Sequence, residues 1–161
     1  MLFEFTAEPT GKAYRTLLQM CLETNDRFEL TSYNDCKDIY TTRYHQVMAA
    51  LAPDLINSKA GHANALNTMG GWHTLVLYRY QANSVTGRVL KRATTSLYDW
   101  GRYASDKLPD DLTFYQAGVP TLMVLGHEEY ACMRTQTKKD RKRLLAIPGL
   151  ELAPREDWLD D

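Results

Sequence analysis

The sequence predicts an α+β fold, with a mostly antiparallel sheet of four to five strands packed by three to four helices and ending in a β-hairpin. Apolar positions keep helical spacing through Tyr14–Cys21, Ile39–Leu51 and Val85–Trp100. The run "WHTLVLYRYQ", Trp72 to Gln81, alternates like a strand. The stretch "LPDDLTFYQAGVPTLMVLGHEEYACM", Leu108 to Met133, reads as two strands joined by a tight Ala117-Gly118 turn, and such a pair must be antiparallel.

Along the chain, Leu2–Phe5 is a short strand, and Pro9 and Thr10 then interrupt regular structure. Tyr14, Leu17, Leu18 and Cys21 form the inner stripe of a first helix over Ala13–Glu23, with Lys12, Arg15 and Gln19 outside. "TND" ends it, and "RFELTSY" follows as a strand with Phe28 and Leu30 on one face. Asn34 or Asp35 caps a second helix whose stripe is Ile39, Tyr40, Tyr44, Val47, Met48 and Leu51, and Pro53 stops it. Asn57–Gly71 lacks apolar periodicity and reads as a long loop.

The Trp72–Gln81 strand is apolar on both faces at its middle, which places it inside the sheet. "ANS" caps a third helix with inner stripe Val85, Val89, Ala93, Leu97 and Trp100, while Arg88, Lys91 and Arg92 coat the outside. Pro120 has no N–H to donate, so it belongs near a strand start or an unpaired edge. After Met133 the composition changes. Arg134–Arg143 holds six basic residues and one acid, and the last eleven residues hold five acids and one base. The expected organisation is a single α+β domain over 1–133 and a basic, then acidic, tail over 134–161.

At 161 residues the chain is of one-domain size, able to bury roughly 70% of its extended surface without staples. Apolar residues make up 44% and charged residues 24%, and the net charge is −1, so nothing global favours nucleic acid. Cys21, Cys36 and Cys132 are odd in number and form no CxxC. Two of them fall in apolar patterns, as free thiols do in a reducing cytosol. "MLFEFTAEPTGK" has no basic-then-apolar leader pattern, and no apolar run approaches the length needed to span a bilayer. The expectation is a cytoplasmic protein without a cofactor.

His127, Glu128 and Glu129 stand at the end of the second hairpin strand. His127 titrates near neutral pH, and an adjacent carboxylate can orient it for acid–base work. Strand alternation would put His127 and Glu129 on one face and Glu128 on the other. With Asp110 these are the candidate catalytic residues, weighed against a plain strand end with solvated glutamates. HExxH is incomplete, because Ala131 stands where the second His belongs. A three-His site from His62, His73 and His127 is not required by their spacing, so no metal is expected. Cys36, near a helix start, is the most reactive of the thiols, but no partner His is specified. The candidate binding residues are Trp100, Tyr78, Tyr80 and Tyr103, with Lys138 and Arg141 of the basic run as the possible contacts to phosphate or an acidic partner.

"SLYDW" followed by "LPDDLTFYQAGVPTLMVLGHEE" resembles a family of small uncharacterised Firmicutes proteins, some of them automatically labelled "stage III sporulation protein AH". The similarity spans roughly residues 10–130 and is most specific over Tyr98–Trp100 and Leu108–Glu128. It implies a bacterial, compact α+β domain with no established activity, and it carries over Trp100, Asp110, His127 and Glu128. The Asn57–Gly71 loop and the tail depart from it. Three functions remain: a protein-binding module of the immunity or antitoxin kind, which the absence of a complete catalytic set favours; a small hydrolase or metal-dependent enzyme centred on His127; and a nucleic-acid factor using Lys138–Arg143.

Overall fold

The computed structural model of the chain describes residues 1–33, 37–61 and 75–155. Its strands are β1 (Leu2–Phe5), β2 (Arg27–Tyr33), β3 (Leu55–Gly61), β4 (Leu75–Gln81), β5 (Asp110–Gln116), β6 (Val119–Leu125), β7 (Tyr130–Arg134) and β8 (Leu152–Arg155). Its helices are α1 (Gly11–Thr24), α2 (Thr42–Leu51), α3 (Ser84–Ala93) and α4 (Lys138–Leu145). All the strands join one antiparallel sheet of eight, in the order β3-β4-β2-β5-β6-β7-β1-β8. The α+β class stands. The expected four to five strands is corrected to eight, and the hairpin is followed by β7 and β8 rather than ending the sheet.

The uncounted strands have a common cause. Every residue of β3 but Gly61 is exposed, so "LINSKAG" shows no alternation and reads as loop. The short β7 is buried through its middle on both faces, and β8 carries Pro154. The stretch expected to be a tail is built into the fold: β8 pairs with β1, from Leu2↔Arg155 to Phe5↔Leu152, and α4 buries Leu144.

One main core lies between the sheet and the helices. Phe3, Phe5, Phe28, Leu30, Phe114, Leu122, Val124 and Met133 point from the strands toward Tyr14, Leu17, Leu18 and Cys21 of α1, Val47 and Leu51 of α2, Leu90 of α3 and Leu144 of α4. Phe28 anchors it, with the Tyr80 ring at 5.3 Å and the Phe114 ring at 5.4 Å. The opposite face carries a small cluster of Leu2, Met123 and Cys132, the buried Leu75 and Leu77 of β4, and a polar group in which Glu29 binds Arg79 at 2.5 Å and accepts the Tyr115 hydroxyl at 2.8 Å.

The first helix buries the stripe read from the sequence. The second begins only at Thr42, after a 3-10 turn at Lys37–Ile39; Asn34 and Asp35 lie outside the described residues. Its first turn is held instead by Asp106, which accepts the Arg43 N–H at 2.9 Å and the Thr41 hydroxyl at 2.8 Å. Asn83 caps α3 as expected, accepting from the N–H of Val85 and of Thr86, and Thr86 completes a capping box.

The inner stripe of α3 differs from expectation. Thr86, Gly87 and Leu90 are its buried residues, while Val85 is 46% exposed. The helix also stops at Ala93, where Arg43 of α2 donates two hydrogen bonds to the Ala93 carbonyl, at 2.7 and 3.2 Å. Leu97 and Trp100, expected on the same helix, belong to a separate 3-10 turn and its cap. The β5–β6 turn is as read: Ala117 and Gly118 have φ of +50° and +84°, the double positive φ that a tight hairpin turn requires.

Candidate functional site

His127 does not end a strand. It lies in a 3-10 turn, Gly126–Glu128, between β6 and β7, and Glu129 leaves that turn with φ +50°. Gly126 makes this possible: a β-carbon there would stand 2.4 Å from the Trp100 carbonyl oxygen and 2.5 Å from that of Tyr98. The close approach locks the His127 turn onto the turn that follows α3. His127 and Glu129 therefore do not share a face. Glu129 reaches Arg102 at 3.3 Å, and Glu128 is exposed with its carboxylate 3.6 Å from His127 Nε2.

The start of β5 brings the acids beneath His127. The β2–β5 ladder slips between Glu29 and Thr31, and at the slip Asp111 takes φ +55° and donates its N–H to the Trp100 carbonyl. Asp111 Oδ1 lies 3.8 Å from His127 Nδ1, beyond hydrogen-bond length, and Asp111 Oδ2 accepts from the Thr31 hydroxyl at 3.4 Å. Asp110 accepts from Lys107 Nζ at 2.6 Å and from the Tyr40 hydroxyl at 2.6 Å. Lys107 also donates to the Gly101 carbonyl, and Tyr40 accepts the Tyr33 N–H. Lys107, Asp110 and Asp111 are each 1% exposed, whereas the His127 side chain is 22% exposed.

Burial pushes the Asp110 carboxyl above the usual carboxylate range, against the pull of Lys107, Tyr40 and His127. Burial likewise raises the Tyr40 hydroxyl, and the Asp110 charge adds to it. Buried charge, a strained backbone residue and an accessible imidazole thus meet in one place. Sequence reasoning named His127 and Asp110 but missed Lys107 and Tyr40. The "KLPD" spacing of Lys107 and Asp110 was the available signal.

The expected binding residues divide. Trp100 is fully buried, its indole N–H bonded to the Tyr14 hydroxyl at 3.0 Å, and Tyr80 is 1% exposed. Both serve the core. Tyr78 is half-buried against the core, and Tyr103 is 72% exposed with the Lys107 ammonium 5.5 Å from its ring. Lys138 is exposed and Arg141 half-buried on α4. His62, His73 and Cys36 lie outside the described residues. Among the described residues no group of three His, Cys, Asp or Glu side chains is placed to hold a metal ion, and no helix is long and apolar enough to cross a membrane.

A groove of about 470 Å³ runs between α2 and α3. Val47, Ala50, Val85 and Val89 supply its apolar lining, and Arg88 and Arg92 stand one turn apart along it. Neither arginine has an ion pair with any described residue. In contrast, Arg43, Arg79, Arg102, Arg143 and Arg155 all have carboxylate partners.

The chain is thus an α+β protein with a one-layer helical cover, a buried acid–lysine cluster and a cationic, apolar groove on the helical side. It matches no family model, no curated protein and no solved structure.

Proposed function

We propose that the chain is a cytoplasmic protein-binding module of the immunity or antitoxin kind, and that it takes an acidic, amphipathic helix of its partner in the α2–α3 groove. What carries the reading is the pairing of an apolar lining, exposed at Ala50 and Val85, with two guanidiniums that have no counter-charge among the described residues. An apolar helix face fills such a groove, and carboxylates on its flank meet Arg88 and Arg92. The exposed end of the α3 stripe has the same meaning. Val85 opens onto the groove, while Val89 and Ala93 line it and also pack partly against the core.

A synthetic helix with leucines along one face and glutamates beside them tests this by fluorescence anisotropy. It should bind the wild-type protein, and Arg88→Glu with Arg92→Glu should abolish binding while favouring the same peptide with lysines in place of glutamates. Equal binding of both peptides by the wild type would refute the reading.

A second reading is favoured by one observation, the accessible His127 above the buried Asp111. In it His127 acts as an acid–base group positioned by Asp111. Turnover of activated esters or phosphate esters by the wild type, lost in His127→Gln without loss of folding, would support it. No turnover above buffer would remove it.

A further inference from the structure

We infer that the chain forms a two-fold dimer through β3, whose outer edge pairs antiparallel with β3 of a second copy to make one continuous sheet. This inference is independent of the groove, which lies on the helical layer. β3 is the first strand in the sheet order, so among the described residues one of its edges has no neighbour. It is seven residues long, and all but Gly61 are exposed. Leu55 and Ile56 are among the large apolar side chains most exposed to solvent, at 41% and 47%.

The other edge of the sheet is blunted in ways that β3 is not. β8 has four residues, contains Pro154 and carries Arg155, which binds Glu4 at 2.7 Å. Short length, proline and charge are the usual devices that keep an edge from pairing. β3 has no proline and a single charge, Lys59, with a register slip confined to its start at Leu55–Asn57.

The sequence of β3 is complementary to itself in one register. A two-fold axis normal to the sheet pairs residues whose numbers have the same parity, so that faces match. The slip between Leu55 and Asn57 breaks that parity, so regular alternation runs over Asn57–Gly61. Centred on Ser58, the axis sets Asn57 against Lys59 and Ser58 against its own mate, so each lysine meets an amide. Centred on Lys59, the same axis sets two ammonium groups opposite each other, which is unfavourable. Centred on Asn57, it runs at once into the slip. The Ser58 register therefore avoids a charge conflict, and it gives an isologous, closed interface.

Sedimentation equilibrium of the unmodified chain should show a species of twice 18.5 kDa that dissociates on dilution. Ser58→Lys, which places like charges across the axis, should weaken the dimer at least roughly tenfold. In a Cys36→Ser background, Ser58→Cys should form a disulfide-linked dimer under mild oxidation, because a residue facing its own mate satisfies disulfide geometry. Ala60→Cys, which does not face its own mate, should not. A monomer at every concentration, or equal cross-linking of the two cysteine variants, would overturn the inference.

Discussion

Lys107 and Asp110 form an ion pair of 2.6 Å with both side chains 1% exposed. Two charges so placed depend on each other. Lys107→Met leaves Asp110 in the interior with the Tyr40 hydroxyl as its donor, and should destabilise the fold by about 3 kcal/mol. Asp110→Asn strands the ammonium and should cost at least as much. The double variant Lys107→Met/Asp110→Asn should be less destabilised than the sum of its singles. Urea unfolding of the four proteins gives the coupling, and strict additivity would show that the pair contributes nothing as a pair.

Gly126→Ala should be the most damaging glycine substitution in the His127 region. The atoms its methyl group would meet are backbone carbonyls of Tyr98 and Trp100, which cannot rotate away. A loss of about 3 kcal/mol follows from overpacking. Gly118→Ala meets nothing within 4 Å and pays only for φ +84°, about 1 kcal/mol. Thermal melts of the two variants should rank them in that order.

Cys132 should resist thiol reagents in the native protein. Burial raises its thiol to about 11, so near pH 8 roughly one molecule in a thousand carries the thiolate. Cys21 is fully buried and is raised further by the same cause. In a Cys36→Ser background, labelling should be negligible until denaturant is added and should then reach two thiols. Fast native labelling would contradict the packing of β7.

Asp106 and Asp110 should respond to acid in opposite senses. Asp106 is held below the usual carboxylate range, first by the Arg43 N–H and then by the Thr41 hydroxyl. Its stabilisation of α2 is complete above the unfolded-chain value near 3.9 and is lost as pH falls through the native value. Asp110 is raised, so the native state holds its proton more tightly than the unfolded chain does. Its contribution is most favourable below the ordinary aspartate value and declines as pH rises toward the native one. Melting temperatures between pH 2 and 5 for Asp106→Asn should therefore fall less steeply on acidification than those of the wild type. An identical slope would remove Asp106 from the account.

The helical half of the fold was largely legible in the sequence, because α1 buries one stripe and α3 opens with a side-chain cap. The sheet was less so. Alternation reports a strand with one wet and one dry face, and β3 is wet on both while the middle of β7 is dry on both. The site was half legible. His127 and Asp110 stand out by residue type, and the spacing of Lys107 and Asp110 allows a pair, but the spacing alone does not say that the pair is buried. That outcome depends on the slip at Asp111, which turns the start of β5 under the His127 turn, and on Tyr40 arriving from a segment 70 residues earlier in the chain.

β1 lies between β7 and β8, so the first described strand is bordered on both sides by the last two in chain order. On the ribosome, Leu2–Phe5 must wait with its ladder unfilled until residues 130–155 have left the exit tunnel. Closure of the sheet thus waits on residues 130–155, and the contacts that complete it join strands far apart in the chain, a topology associated with slow folding. Until then the unpaired β1 leaves Phe3 and Phe5 without their core.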